Sequence, residues 1–200
     1  ESIDGEEIKA GMDYFPLLDG KVGKNVRLGI RNAKGKKMEV TVKAISQGKL
    51  NNLLYKRWVD RNRAFVDSIS GGRIAYVHVK AMDSESFRTV YSELLSDKNR
   101  NRDAVIVDER HNGGGWLHDD LCTLLNGKQY QEFVPHGKVV GRDPFNKWVK
   151  PSCVMICEND YSNGHGFPWV YKELGIGKLI GAPVAGTMTA VWRETLTDNT

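Results

Sequence analysis

Two segments of this 200-residue chain combine the residue types that acyl-transfer chemistry needs. Tyr161-Ser162-Asn163-Gly164-His165-Gly166 offers a serine hydroxyl among small residues, with an imidazole three positions later. Asp108-Glu109-Arg110-His111-Asn112-Gly113-Gly114-Gly115-Trp116 offers three consecutive glycines. They permit a backbone path closed to other residues and leave N–H groups exposed near a helix start. A serine on one loop and amides from both would supply a nucleophile and an oxyanion hole. The same residues also fit two tight turns and a serine that caps a helix, and spacing alone leaves both open.

Other chemistry-bearing groupings are weaker. Gly20-Lys21-Val22-Gly23-Lys24-Asn25 lacks the glycine gap and the hydroxyl after lysine that a phosphate-cradling loop requires. Gly175-Ile176-Gly177-Lys178 runs from helix to strand, the wrong order for aiming amides at a phosphate. Both read as turns, and nucleotide binding is set aside. Cys122, Cys153 and Cys157 form no CxxC pair, so they read as small core residues rather than as a disulfide framework or zinc site. His118 and Cys122 stand four apart on an expected helix, yet no further ligand has supporting spacing. They read as a surface histidine and a core cysteine. No metal and no cofactor is expected.

The elements that must position the two loops follow from periodicity. Ile74–Val79 and Ala104–Val107 read as strands, the second wholly apolar as in a buried parallel sheet. Cys153–Cys157 and the run beginning Leu179-Ile180 read as two more. Between them lie helices carrying Phe87, Val90, Tyr91, Leu94 and Leu95 behind a capping Ser84, then Leu117, Leu121, Leu124 and Leu125, then Phe167–Leu174. That βαβαβαβ order predicts an α/β layered domain, with both loops at the C-terminal ends of strands, where open α/β folds collect ligands. Before it, residues 51–66 read as a helical connector. Asp13–Leu18 reads as a short helix, and Val26–Ile30 with Met38–Val42 as a hairpin.

Composition excludes several classes. Hydrophobic residues make up 40% and charged residues 27%, which supports a packed core and not a disordered chain. The net charge is only +4 and the basic residues form no stripe, so nucleic acid is not an expected partner. No apolar run approaches the ~18 residues of a membrane span. The chain starts at Glu1 in the middle of a pattern and so reads as a piece of something longer.

Val105-Ile106-Val107-Asp108-Glu109-Arg110-His111-Asn112-Gly113-Gly114-Gly115 resembles the "DxRxNGGG" segment of the tail-specific, or C-terminal processing, serine peptidases. Ser162-Asn163-Gly164, with Gly181 of Lys178-Leu179-Ile180-Gly181 nineteen residues after the serine, resembles them too. Phe167-Pro168 and Leu174-Gly175-Ile176-Gly177-Lys178-Leu179-Ile180-Gly181 are more similar to the tricorn protease branch. The resemblance implies an α/β fold with a βαβ layered spiral core of the crotonase and Clp-protease kind. It divides the chain into a partial PDZ-like domain at 1–45, a helical connector at 46–72 and a serine peptidase core at 73–200.

Carried over by position, the resemblance makes Ser162 the nucleophile and the backbone N–H groups of Asn163 and Gly115 the oxyanion donors. Where the tail-specific branch has a lysine twenty-five positions after the serine, this chain has Thr187, so a Ser/Lys dyad is not expected. The tricorn branch uses a histidine oriented by further Ser and Glu residues; that histidine would precede Glu1 and the glutamate would follow Thr200. Gly114, His111 and His165 are read as cleft residues. His165 sits at a helix start, a poor place for a base that must take on positive charge. The expected substrate is a peptide or unfolded chain, and the piece alone is expected to be nearly inactive. The branch also implies a homo-oligomer, to which the Trp148–Trp169 stretch, read as exposed, would contribute contacts. The compartment stays open between cytoplasm and periplasm. Two other classes remain in view, a peptide-binding scaffold derived from a peptidase and a crotonase-type hydratase or thioesterase.

Overall fold

The computed structural model describes residues 1–191 and 194–198. The chain forms two compact units, Glu1–Trp58 and Val59–Thr200. The first is an antiparallel sheet of β1 (Ser2–Ile3), β2 (Glu6–Glu7), β3 (Asn25–Arg31) and β4 (Lys37–Lys43), ordered β2-β1-β3-β4. The Asp4 carboxylate accepts the Arg27 amide at 2.8 Å and pairs with Lys21, which pins the β1–β2 turn onto β3. Asn32 Oδ1 accepts from the amides of Lys34 and Lys36 and closes the β3–β4 hairpin. The expected helix at 13–18 is a single 3-10 turn at Phe15–Leu18.

Helix α1 (Gln47–Ile69) is longer at both ends than the apolar spacing over 51–66 suggested. Ser46 Oγ accepts the Lys49 amide and starts it early, and the helix runs on until Gly71-Gly72. The second unit continues with β5 (Ile74–His78), α2 (Ser84–Leu94), α3 (Asp97–Arg100), β6 (Ala104–Asp108) and α4 (His118–Leu125). After these come β7 (Gln131–Phe133), β8 (Gly141–Asp143), β9 (Ser152–Ile156), α5 (Asn163–Glu173) and β10 (Lys178–Gly181). Four strands form a wholly parallel sheet in the order β10-β9-β6-β5. This is the α/β layered core expected from the alternating pattern. Val77, Val107 and Val154 pair in register across its centre and are fully buried, which is why β6 has no polar face. Leu94, Leu121, Phe167 and Tyr171 bring α2, α4 and α5 into the same core.

Several details differ from the sequence expectation. Asp83, not Ser84, caps α2, its carboxylate accepting the Ser86 amide at 2.7 Å. A carboxylate complements the positive helix start better than a hydroxyl does. Leu117 precedes α4 as its cap residue, and Cys157 lies just beyond β9. Trp148 is buried rather than exposed. Its amide donates to Leu124 O and its carbonyl accepts from Gly127 N, stitching the chain to the end of α4. Only Trp169 of that stretch faces outward among its tryptophans. The hairpin β7–β8 had no counterpart in the sequence reading, since its strands have three residues each and β7 is exposed throughout.

Candidate active site

Strands β6 and β9 are parallel neighbours, so the loops that leave them meet at one sheet edge. Asn112 locks the two together. Its carbonyl accepts the Tyr161 amide at 2.9 Å, and its own amide donates to Glu109 O and to Asp160 Oδ1. The side chain donates to Val79 O and accepts from Gly114 N at 2.8 Å. Asp160 Oδ2 accepts the Cys157 amide, so the second loop is closed on itself as well. The chain after β5 braces the glycines from the far side, through Met82 N to Gly114 O and Trp116 N to Met82 O.

Two glycines in this cradle are irreplaceable on geometric grounds. Gly114 (φ 94°) leaves room for Ser162, whose Cβ would lie 2.6 Å from a side chain placed there. Gly115 (φ 134°) lies against the Met82 carbonyl oxygen, 2.1 Å from where a Cβ would stand. Opposite them, Ser162 has φ 54° and ψ −119°, a conformation that costs on the order of 1–3 kcal/mol and persists only where the surroundings enforce it. A strained strand-to-helix turn of this kind presents the serine in the nucleophile elbow of α/β-hydrolases.

Ser162 is not a capping serine: its hydroxyl makes no hydrogen bond with any described residue. The backbone around it is held instead, with its amide donating to Thr187 Oγ1 and its carbonyl accepting from His165 N. Helix α5 begins at Asn163, four residues before the expected Phe167. Gly164 there packs on Asn112 O, which no larger residue would permit. Among the described residues the amides of Gly115 and Asn163 have no protein acceptor. Both border a cavity of about 290 Å³ that also contains Ser162 and is walled by Trp116, Met188 and Val191. A larger cavity of about 710 Å³ between Arg100, Phe145 and Trp148 holds no serine, cysteine or histidine and has no evident part in the chemistry.

The candidate histidines fall elsewhere. His165 Nδ1 accepts the Met188 amide at 3.2 Å, and His111 Nδ1 faces Cys157 Sγ and Asn159. Neither ring bonds Ser162. His118, read as a surface residue, is instead half-buried and bonded to the Asn163 side chain. Cys122 is buried in the core as expected.

Charged groups under the loops are strongly perturbed. Burial favours the protonated form of Asp108, but the Arg110 guanidinium and the Tyr76 hydroxyl outweigh it and hold the carboxyl below its usual range. Burial pushes His78 down to about 4. Glu109 is fully enclosed, neither carboxyl oxygen has a partner among the described residues, and burial with Asp160 and Asp108 nearby raises its pKa well above the usual range. Burial thus favours its neutral form in the folded protein. The associated stability is complete below the unfolded carboxyl's ~4.3 and is lost as pH rises toward the folded value. Glu109→Gln should gain stability relative to wild type as pH goes from about 5 to about 8, read as urea midpoints at both values. An equal difference at the two pH values would contradict the buried neutral acid.

Residues 73–200 match the model of peptidase family S41. The chain is 28% identical over 193 residues to the tricorn protease of Thermoplasma acidophilum, covering 96% of this chain and 18% of that protein. It is 28% identical over 194 residues to the tricorn protease homolog of Saccharolobus solfataricus, covering 96% and 17%. The crystal structure of the tricorn protease superposes with a TM-score of 0.83 at 27% identity, over 100% of this chain and 19% of that one. The chain thus spans about a fifth of the length of the curated relatives it matches.

Proposed function

The chain belongs to peptidase family S41, and from that premise we propose that it carries the nucleophile and oxyanion hole of a tricorn-like serine peptidase. The observation that carries the reading is the Ser162 hydroxyl on its strained turn, bonded to no described residue and bordering one small cavity with Gly115 and Asn163, whose amides have no acceptor among the described residues. Ser162 Oγ attacks the carbonyl carbon of a peptide bond. The developing oxyanion is held by the Asn163 and Gly115 N–H groups, which have no acceptor among the described residues to give up first. Collapse of that intermediate breaks the C–N bond and expels the amine, which receives the proton the general base took from Ser162. Water then cleaves the acyl-enzyme ester, freeing the acid and restoring the serine hydroxyl.

A Ser/Lys dyad has no support, because the residue reaching the Ser162 turn at the expected position is Thr187. The general base belongs to a segment outside the described residues, in keeping with the tricorn branch. The chain alone should therefore hydrolyse peptides very slowly, since an unactivated serine is a weak nucleophile. Peptides or unfolded chains as substrates, and assembly into a homo-oligomer, are parts of the same proposal and rest on the family. So does the division into a partial PDZ-like domain at 1–45, a connector at 46–72 and a core at 73–200. The four-stranded antiparallel sheet of the first unit supports that division.

The assignment of the base is testable in the complete enzyme that carries this chain. His111→Ala and His165→Ala should each retain most of the turnover number, with His165→Ala acting on KM through Met188 in the cavity wall. A loss in kcat of the ~10²–10⁴ that a general base contributes would contradict the proposal and make that histidine the base.

A further inference from the structure

We propose that the Asn163 carboxamide and the His118 imidazole are positioning residues that together aim the oxyanion amides; this rests on the reading of Ser162 and Asn163 given above. Asn163 is 3% exposed, and the hydrogen bonds of its side chain to described residues all run to one place, the start of α4. Its Oδ1 accepts from Leu117 N at 2.8 Å and from His118 N at 3.1 Å. Two converging N–H donors fix which end of the carboxamide points there, because the NH₂ end would set donors against donors. The Nδ2 group must then face His118 Nδ1, 2.8 Å away. It is a donor, so Nδ1 must be the acceptor. The imidazole is therefore neutral and carries its proton on Nε2. The Trp116 ring, edge-on at 5.6 Å, supports the ring in that orientation.

This clamp joins the two halves of the oxyanion hole. Asn163 carries one donor on its own backbone, at the first residue of α5. Leu117 and His118 follow the other donor, Gly115, by two and three residues. A single carboxamide thus ties the loop after β6 to the helix after β9, and fixes the separation of two amides that must reach one oxygen. Thr187 Oγ1 and the His165 amide hold the backbone of the serine itself, so the clamp acts on the oxyanion donors and not on the nucleophile.

Nitrogen-15 NMR of the full chain labelled at histidine reads the tautomer directly. At about pH 7.5, His118 should show an unprotonated Nδ1 and a protonated Nε2. In Asn163→Asp the carboxylate still accepts both amides but offers no donor, so Nδ1 should become protonated. In the complete enzyme, Asn163→Ala keeps the backbone amide but loses its aim, and kcat should fall roughly ten- to hundred-fold with KM little changed. Asn163→Asp should recover part of that loss. A His118 protonated on Nδ1 in the wild type, or averaged between tautomers, overturns the proposal, and so does an Asn163→Ala effect confined to KM. Ser162→Ala separates the two levels. Full hydrolysis in that variant removes the peptidase reading, whereas the tautomer decides the clamp independently of activity.

Discussion

Replacing Ser162 by alanine in the enzyme that carries this chain should lower kcat for peptide hydrolysis by ~10⁴-fold or more, with KM nearly unchanged. Losing the nucleophile of a serine peptidase removes the covalent path, and what remains comes from oxyanion stabilisation and binding alone. The geometry makes the substitution a clean one. Ser162 Oγ bonds to no described residue, so no structural hydrogen bond is lost with it. The Cβ that packs on Gly114 is kept by alanine, as are the backbone bonds to Thr187 and His165. The urea midpoint should therefore stay near that of the wild type. A parallel loss of stability and activity would mean that Ser162 has a structural role instead.

Gly115→Ala should cost ~10²–10³ in kcat, the usual consequence of losing one oxyanion donor. The added methyl would stand 2.1 Å from Met82 O and 2.8 Å from Met82 C, both backbone atoms that cannot swing aside. The φ of 134° is strained for alanine as well. The chain must move, which breaks the bridge to Met82 and takes the Gly115 amide away from the Asn163 amide. Gly113→Ala is the control, since a Cβ there meets nothing within 4 Å. Its turnover should remain close to wild type. Equal kinetics for the two variants would contradict the placement of Gly115 in the oxyanion hole.

Much of this was legible in residue order. Alternating apolar runs and helical spacings imply parallel strands joined by helices, and a Gly-Gly-Gly run after a wholly apolar strand implies a loop at the ligand-bearing sheet edge. What was not legible depends on contacts far apart in sequence. The lock between Asn112 and Asp160 spans 48 residues and the clamp between Asn163 and His118 spans 45, distances at which no spacing rule operates. His118 looked like a surface residue because its helical position says nothing of a partner on another helix. The φ of Ser162 is likewise imposed by its neighbours, since serine has no intrinsic preference for that region. Trp148 and the β7–β8 hairpin were missed for the complementary reason. A single aromatic in a polar stretch and two three-residue strands carry too little periodicity to read.

The most direct test is the identity of the residue that a phosphonylating probe labels. The complete enzyme is treated with a peptidyl fluorophosphonate, and the modified peptide is mapped by mass spectrometry as hydrolysis is lost. One adduct is expected, on Ser162, forming in proportion to the loss of activity and much more slowly in Gly115→Ala. Inactivation with the adduct on another serine or on a cysteine, while Ser162 remains unmodified, would contradict it.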